Sequence, residues 1–256
     1  MSPGRFGRQP NIWRIHMDEQ KIFLLKKWIA ESRRIVFFGG AGVSTESGIP
    51  DFRGVDGLYH QQFKEPPETI ISHSYYVKKP ATFFEFYRTR MLYPDAKPNI
   101  AHETLAKWEQ EGKLSAVVTQ NIDGLHQLAG SKNVYELHGS VHRNACEECG
   151  AFYDLETFLT LGEVPVCRHC GGRVKPDVVL YEEPLDPDTV LGALDAIRHA
   201  DLLIVAGTSL TVYPAASYVY EFQGKHIVLI NKTPTPQNNI ADLVLHERLG
   251  DVMKLL

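Results

Sequence analysis

The sequence predicts an α/β fold, a doubly wound parallel sheet with two insertions, one helical and one built on cysteines. Three observations lead there. Short apolar runs, IVFF at 35–38, SAVVT at 115–119, DLLIVA at 201–206 and HIVLI at 226–230, each stop at a small or polar turn. Unbroken apolar runs of this length suit strands buried on both faces, and the segments between them have helical spacing, as in a Rossmann-like sheet. Residues 55–99 hold aromatics and prolines but no strand pattern, and the four cysteines fall into two close pairs.

Size and charge bound the rest. A chain of 256 residues can form one large domain with a modest insertion. Its net charge of −4 argues against broad binding to nucleic acid or to an anionic membrane. No run approaches the roughly 18 apolar residues of a membrane span, and no secretory pattern opens the chain, so the expected location is the cytoplasm.

Taken in order, residues 1–16 carry Arg5, Arg8 and Arg14 with no acid, and read as a flexible extension or, alternatively, a targeting peptide. MDEQ from Met17 reads as a natural start. Residues 18–32 place Ile22, Phe23, Leu25, Trp28 and Ile29 at helical spacing. The strand at 35–38 runs into Gly39, Gly40, Ala41 and Gly42, where small residues admit close backbone approach to an anion. Ser44, Thr45 and Ser47 follow, where a helix can start with its positive end toward a phosphate. Glycine-rich turns of this kind are also common as plain structure, and Thr45 stands where the usual fingerprint has a third glycine. SGIPDFRG at 47–54 is too polar and broken for a first helix and reads as an ordered loop over a ligand.

Pro66, Pro67 and Pro80 divide 55–99 into short helices whose aromatics fill a small core. Tyr87 and Arg90 lie three apart, on one helix face. A helix through Trp108 precedes the strand ending in Gln120-Asn121-Ile122-Asp123, a polar cluster at a strand's carboxyl end, where ligands bind in doubly wound folds; Asp123-Gly124 also suits a capped turn. A short strand from Val134 delivers His138 before Gly139; His126 and His142 compete by position. Cys146, Cys149, Cys167 and Cys170 form CxxC…CxxC, the spacing of two knuckles around one tetrahedral zinc with no open position. A redox pair is the alternative, and His169 is a possible substitute ligand. Val178 to Tyr181 reads as an edge strand to which a peptide adds by backbone pairing. Residues 188–199 form a helix. The last two apolar runs end in Gly207-Thr208-Ser209 and Asn231-Lys232, a helix starts near Pro214, and a turn at Leu249-Gly250 closes the chain.

GAGVSTESGIPDFR at 40–53, TQNIDGLH at 119–126, the His138-Gly139 pair, the GTS turn and the Asn231 region together resemble the sirtuin family, the NAD-dependent protein deacylases. The resemblance runs from about Ile35 to the end. It implies NAD extended across a cleft between residues 17–54, 100–143 and 177–256, which form the dinucleotide domain, and two modules, the helical one at 55–99 and the zinc one at 144–176. It implies Gly40, Ala41, Gly42, Thr45, Phe52 and Arg53 around phosphate and the nicotinamide ribose, with Gln120 on that ribose and Asn121 ordering ribose and water. Ile122 and Asp123 would contact the nicotinamide amide. Gly207, Thr208, Ser209, Asn231, Lys232 and Leu249 would lie on the adenosine side. His138 would be the general base, with Asn121 and Asp123 also catalytic. Val179, Leu180 and Tyr181 would bind the backbone of an acylated protein or peptide, though Glu182 replaces the glycine of the family's FFGE. A Tyr-x-x-Arg pair reads acidic acyl groups in some sirtuins; Tyr87 and Arg90 are similar to it, or form part of a surface helix with solvated arginines. The implied activity is NAD-dependent deacetylation of lysine, with desuccinylase, demalonylase or mono-ADP-ribosyltransferase activity as alternatives, and without a membrane or specific nucleic acid as partner. A hydride-transferring dehydrogenase and a non-catalytic NAD-binding scaffold also stay open.

Overall fold

A computed structural model of the chain describes residues 18–52, 54, 57, 59, 63 and 65–256. The extension expected over 1–16 and the site residue Arg53 lie outside the described residues. Nine strands follow one another among those described: β1 (Ile35–Gly39), β2 (Leu114–Thr119), β3 (Val134–Glu136), β4 (Gly139–Cys146), β5 (Phe152–Tyr153), β6 (Val174–Val178), β7 (Leu202–Ala206), β8 (His226–Ile230) and β9 (Leu243–Leu245). The helices are α1 (Glu19–Glu31), α2 (Pro67–Ile70), α3 (His73–Lys78), α4 (Pro80–Arg90), α5 (Ile100–Gln110), α6 (Leu125–Leu128), α7 (Leu155–Leu159), α8 (Pro187–His199) and α9 (Leu249–Met253). No helix among the described residues is long and apolar enough to cross a membrane.

Six strands pair in the order β3-β2-β1-β7-β8-β9, every neighbouring pair parallel. Side chains alternate across this sheet as the pleat requires. Phe37, Val117 and Ile204 face one core with α1, α5 and α9; Val36, Phe38, Val118 and Val205 face another with α8 and a 3₁₀ segment at Ala215–Glu221. Burial on both faces is why these strands read as unbroken apolar runs. Side-chain caps fix where the helices start: Asp18 accepts from the Gln20 and Lys21 amides, and Asp186 caps α8 ahead of Pro187.

The two insertions share one core. Tyr76, Phe83, Phe84 and Tyr87 of the helical segment pack with Val141, Phe158, Val174 and Leu180 around the cysteine segment. There β5, β4 and β6 form an antiparallel sheet of three strands.

Three expectations change here. No α-helix begins after the glycine turn; Ala41–Val43 and Thr45–Ser47 are single 3₁₀ turns, and Gly48 at φ +84° ends the second. The Asn99 amide donates to the Val43 carbonyl and to Ser47 Oγ, which holds the chain in this compact form, and Pro50 follows too soon for a helix to extend. The segment from Val178 to Tyr181 is not an open edge strand. Its donors are already used: Val179 N–H bonds the His138 carbonyl, Leu180 N–H the Glu183 carboxylate and Tyr181 N–H the Ile71 carbonyl. The third change concerns Tyr87, which is buried in the shared core, stacked on Phe83 and edge-on to Phe158.

Candidate active site

The order of the sheet sets the site. Strands β1 and β7 are neighbours whose chains leave toward opposite sides, and a crevice opens where they part. A cleft of about 950 Å³ lies there, across the carboxyl ends of the strands. Gly40, Ala41, Gly42, Thr45 and Phe52 line it from the loop after β1, and Gln120, Asn121, Ile122, Asp123 and His138 from the turns after β2 and β3. Gly207, Thr208, Ser209, Asn231, Lys232 and Leu249 line it from β7, β8 and the start of α9, Val179, Leu180 and Tyr181 from the segment after β6, and Arg90 from the end of α4. Tyr87 does not reach the cleft. Arg90 places its guanidinium over Phe63 instead, at 5.7 Å, so the pair does not meet there.

The glycines serve loop against loop. A Cβ on Gly40 would lie 2.8 Å from Thr208 Cβ, and one on Gly42 2.7 Å from Gly207 Cα. In return Gly42 N–H donates to the Gly207 carbonyl at 2.8 Å and Gly40 N–H to the Ala206 carbonyl at 3.3 Å. Gly207 itself has φ +60°, a left-handed turn that favours glycine. The floor of the cleft is therefore two backbones in contact.

A buried polar chain spans that floor. Asn121 Nδ2 donates to Ser44 Oγ at 3.0 Å, and Ser44 Oγ donates to Asp123 Oδ2 at 2.6 Å. The other Asp123 oxygen accepts the Leu125 amide at 2.9 Å, which closes a tight turn just ahead of α6. With its amide nitrogen committed to Ser44, Asn121 keeps its carbonyl oxygen for a ligand. Ser44 is nearly fully buried; from sequence it reads as part of a helix start toward a phosphate, and its place between Asn121 and Asp123 is a role that reading misses. On the far side Gln120 Nε2 donates to Thr208 Oγ1 at 2.9 Å, while Thr208 and Asn231 exchange two hydrogen bonds, at 3.1 and 2.6 Å.

His138 has its tautomer set by the fold. Its Nδ1 lies 2.9 Å from the Gln120 carbonyl oxygen, which can only accept. Nδ1 therefore carries the proton, and Nε2 keeps its lone pair. Burial holds this imidazole below its usual pKa, with the Gln120 hydrogen bond opposing in part, so it is neutral at physiological pH. Two further bonds lace the same segment together: Val141 N–H to the Ile122 carbonyl and His142 Nε2–H to the Asp123 carbonyl, each at 3.0 Å. Gly139 follows at φ +74°, with Asp177 O where any Cβ would go, so only glycine makes this turn. Such an arrangement can position a polar substrate and take a proton from it.

The four cysteines stand apart from the cleft. Their sulfurs all lie within 4.8 Å of one another, and no disulfide joins them. Zn–S bonds of about 2.3 Å in a tetrahedron separate sulfurs by about 3.8 Å, which these positions fit. The Cys146 and Cys167 carbonyls accept from Gly150 and Gly171, both in left-handed turns, to form two knuckles. The His169 amide, the Gly172 amide and the Tyr153 hydroxyl donate to Cys167, Cys170 and Cys167 sulfur respectively. Donors aimed at sulfur suit thiolates on a metal. His169 is not among the clustered ligands. Four protein ligands leave a zinc ion no open position, so its role is structural.

Residues 40–214 match the Sir2 family. The chain is 57% identical over 240 residues to an NAD-dependent protein deacetylase of Clostridium perfringens, covering 93% of this chain and 98% of that one. It is 53% identical to one of Cutibacterium acnes, covering 90% and 94%. Among solved structures, a Sir2 enzyme superposes with TM-score 0.85 at 41% identity, covering 93% of this chain and 97% of that one. A Sir2 with deacetylated p53 peptide and 3'-O-acetyl ADP ribose gives 0.83 at 37%, covering 91% and 96%. The chain belongs to the Sir2 family.

Proposed function

We infer that this chain is an NAD-dependent protein-lysine deacetylase, which consumes NAD, acetyl-lysine and one water and releases nicotinamide, O-acetyl-ADP-ribose and the free lysine. The observation that carries this is His138: a neutral base with its proton held on Nδ1, in the same cleft as the glycine and polar turns of a dinucleotide sheet. Near-complete coverage of relatives named NAD-dependent protein deacetylase supports it.

Bound NAD supplies an electrophilic ribose carbon where the nicotinamide bond breaks, and its ribose takes the acetyl group away. The chain's own residues do the rest. Gly40, Ala41, Gly42 and Thr45 accommodate the phosphates, and Gly207, Thr208, Ser209, Asn231, Lys232 and Leu249 hold the adenosine side. Gln120 and Asn121 orient the ribose near nicotinamide, Ile122 and Asp123 engage the carboxamide, and Phe52 excludes water. His138 Nε2 accepts a proton from a ribose hydroxyl, and the Gln120 carbonyl steadies the imidazolium that results. Val179, Leu180 and Tyr181 line the wall for the acetylated segment; since their N–H groups and the Leu180 and Tyr181 carbonyls bond within the chain, the Val179 carbonyl and the side chains meet it. Burial of Tyr87 away from Arg90 supports acetyl over acidic acyl groups. Residues 17–54, 100–143 and 177–256 act as the dinucleotide domain, 55–99 as the helical module and 144–176 as the zinc module. The protein works in the cytoplasm on acetylated proteins, without membrane or specific nucleic acid as partner.

The test is incubation of the purified protein with NAD and an acetyl-lysine peptide, read by mass spectrometry. Free lysine peptide and O-acetyl-ADP-ribose appear together. Absorbance change at the reduced-nicotinamide band, or ADP-ribose label left on protein, would instead mark a dehydrogenase or a transferase.

A further inference from the structure

The wall of the cleft contains a strained anion. Glu182 has φ +78°, one of two non-glycine residues with positive φ among those described. Glycine adopts this left-handed conformation freely, whereas a side chain does so only against steric resistance. Such outliers persist where their surroundings fix them, and they gather at ligand sites. Two hydrogen bonds fix this one: the Ser74 amide donates to Oε2 at 2.8 Å and Ser74 Oγ to Oε1 at 3.0 Å. The residues beside it are fastened to the same place. Tyr181 N–H bonds the Ile71 carbonyl and its own carbonyl accepts from His73 N–H, and Glu183 takes His73 Nδ1 at 2.8 Å.

The two neighbouring carboxylates differ in charge balance. Glu183 is half-buried and ion-paired with Lys175 at 3.0 Å. Glu182 is exposed, lines the cleft and forms no ion pair among the described residues; both its partners are neutral donors. Its carboxylate is thus held in place with no cation paired to it among the described residues, on the wall that Leu180 and Tyr181 continue. Arg90, which also lines the cleft, has its guanidinium over Phe63. Acetylation removes the charge of the target lysine, so the charge that can still be read on a substrate segment belongs to the flanking residues.

We propose that Glu182 is a specificity-determining residue, an anion fixed on the peptide wall that favours acetyl-lysine segments with a cationic residue beside the acetyl-lysine over segments with an acidic one. This rests on the deacetylase function inferred above. Attraction between unit charges several ångströms apart at a wet surface gives selectivities of about threefold to tenfold, which salt screens.

The experiment uses the full chain and NAD with acetyl-lysine peptides that differ at one flanking position, Arg, Ala or Glu, tried on either side of the acetyl-lysine. Nicotinamide release gives kcat/KM. The expected result is an Arg-over-Glu preference of about threefold to tenfold at low salt, residing in KM and shrinking toward one as salt rises. Glu182→Gln, whose amide oxygen still accepts from Ser74, should bring the ratio near one. Glu182→Gly, which relieves the backbone strain, should do the same. A preference that survives in either variant, one insensitive to salt in the wild type, or no preference at all overturns the proposal. Wild-type protein that releases no nicotinamide with the Ala-flanked peptide overturns the deacetylase function itself.

Discussion

Acid should destabilise this fold through two histidines enclosed behind the cleft. His102 on α5 and His126 on α6 are buried with their rings 4.7 Å apart, edge to face. Asn99 N–H donates to His102 Nδ1 at 3.2 Å, while His102 Nε2 and both nitrogens of His126 meet no partner among the described residues. Burial pushes His102 down to about 4, with Asp123 opposing; burial, and then the neighbouring His102, push His126 down to about 3. In the unfolded chain both titrate near 6.5. As pH falls, the unfolded state therefore takes up protons first. The stability that neutral burial confers is complete above about 6.5 and drains away as pH falls toward the folded values. At about pH 5.5 each histidine shifts the balance by roughly 1.4 kcal/mol relative to pH 7.5, nearly 3 kcal/mol for the pair. His126→Leu should remove one share, so its stability difference from the wild type should move in the variant's favour by about 1.4 kcal/mol between these pH values. Urea unfolding followed by tryptophan fluorescence measures it. A difference that stays constant with pH would refute the linkage.

Tyr87→Phe deletes a buried hydroxyl that has no partner among the described residues and keeps the ring stacked on Phe83. Stability should hold or rise by up to about 1 kcal/mol, with the ratio of acetyl- to succinyl-peptide turnover unchanged, as thermal melts and peptide assays can check. Removal of the metal by a chelator, or Cys167→Ser, should release about one zinc per chain, lower the melting temperature and reduce turnover, because β4 joins the zinc knuckle at Cys146 to the turn that bears His138. Full activity in metal-free protein would show that the knuckle does not support the cleft.

Features that depend on local chemistry were legible from sequence. Strands β1, β7 and β8 are apolar because both their faces are covered, and the paired CxxC motifs state their own geometry. What was not legible depends on distant partners. Spacing put Tyr87 and Arg90 on one face of α4, but Phe83, Phe84, Phe86 and Tyr87 are all buried, and the side of Tyr87 is decided by Phe158 of the cysteine segment. The glycine loop looked ready to start a helix; Asn99, on another element, keeps it as short turns. Ser44 acquires its place between Asn121 and Asp123 only when residues 79 positions apart are brought together. The donors of residues 179–181 are taken up by His138, Glu183 and Ile71, and no feature of the segment's own sequence reveals those partners.

The central claim is that His138 Nε2 takes the proton that lets the acetyl group move onto the sugar, after nicotinamide has left. His138→Ala, assayed both for deacetylated peptide and for exchange of labelled nicotinamide into NAD, tests it most directly. Peptide product should fall by roughly two orders of magnitude or more, while exchange, which precedes the proton transfer, continues. Deacetylation at close to the wild-type rate in a folded, zinc-loaded variant would contradict the account.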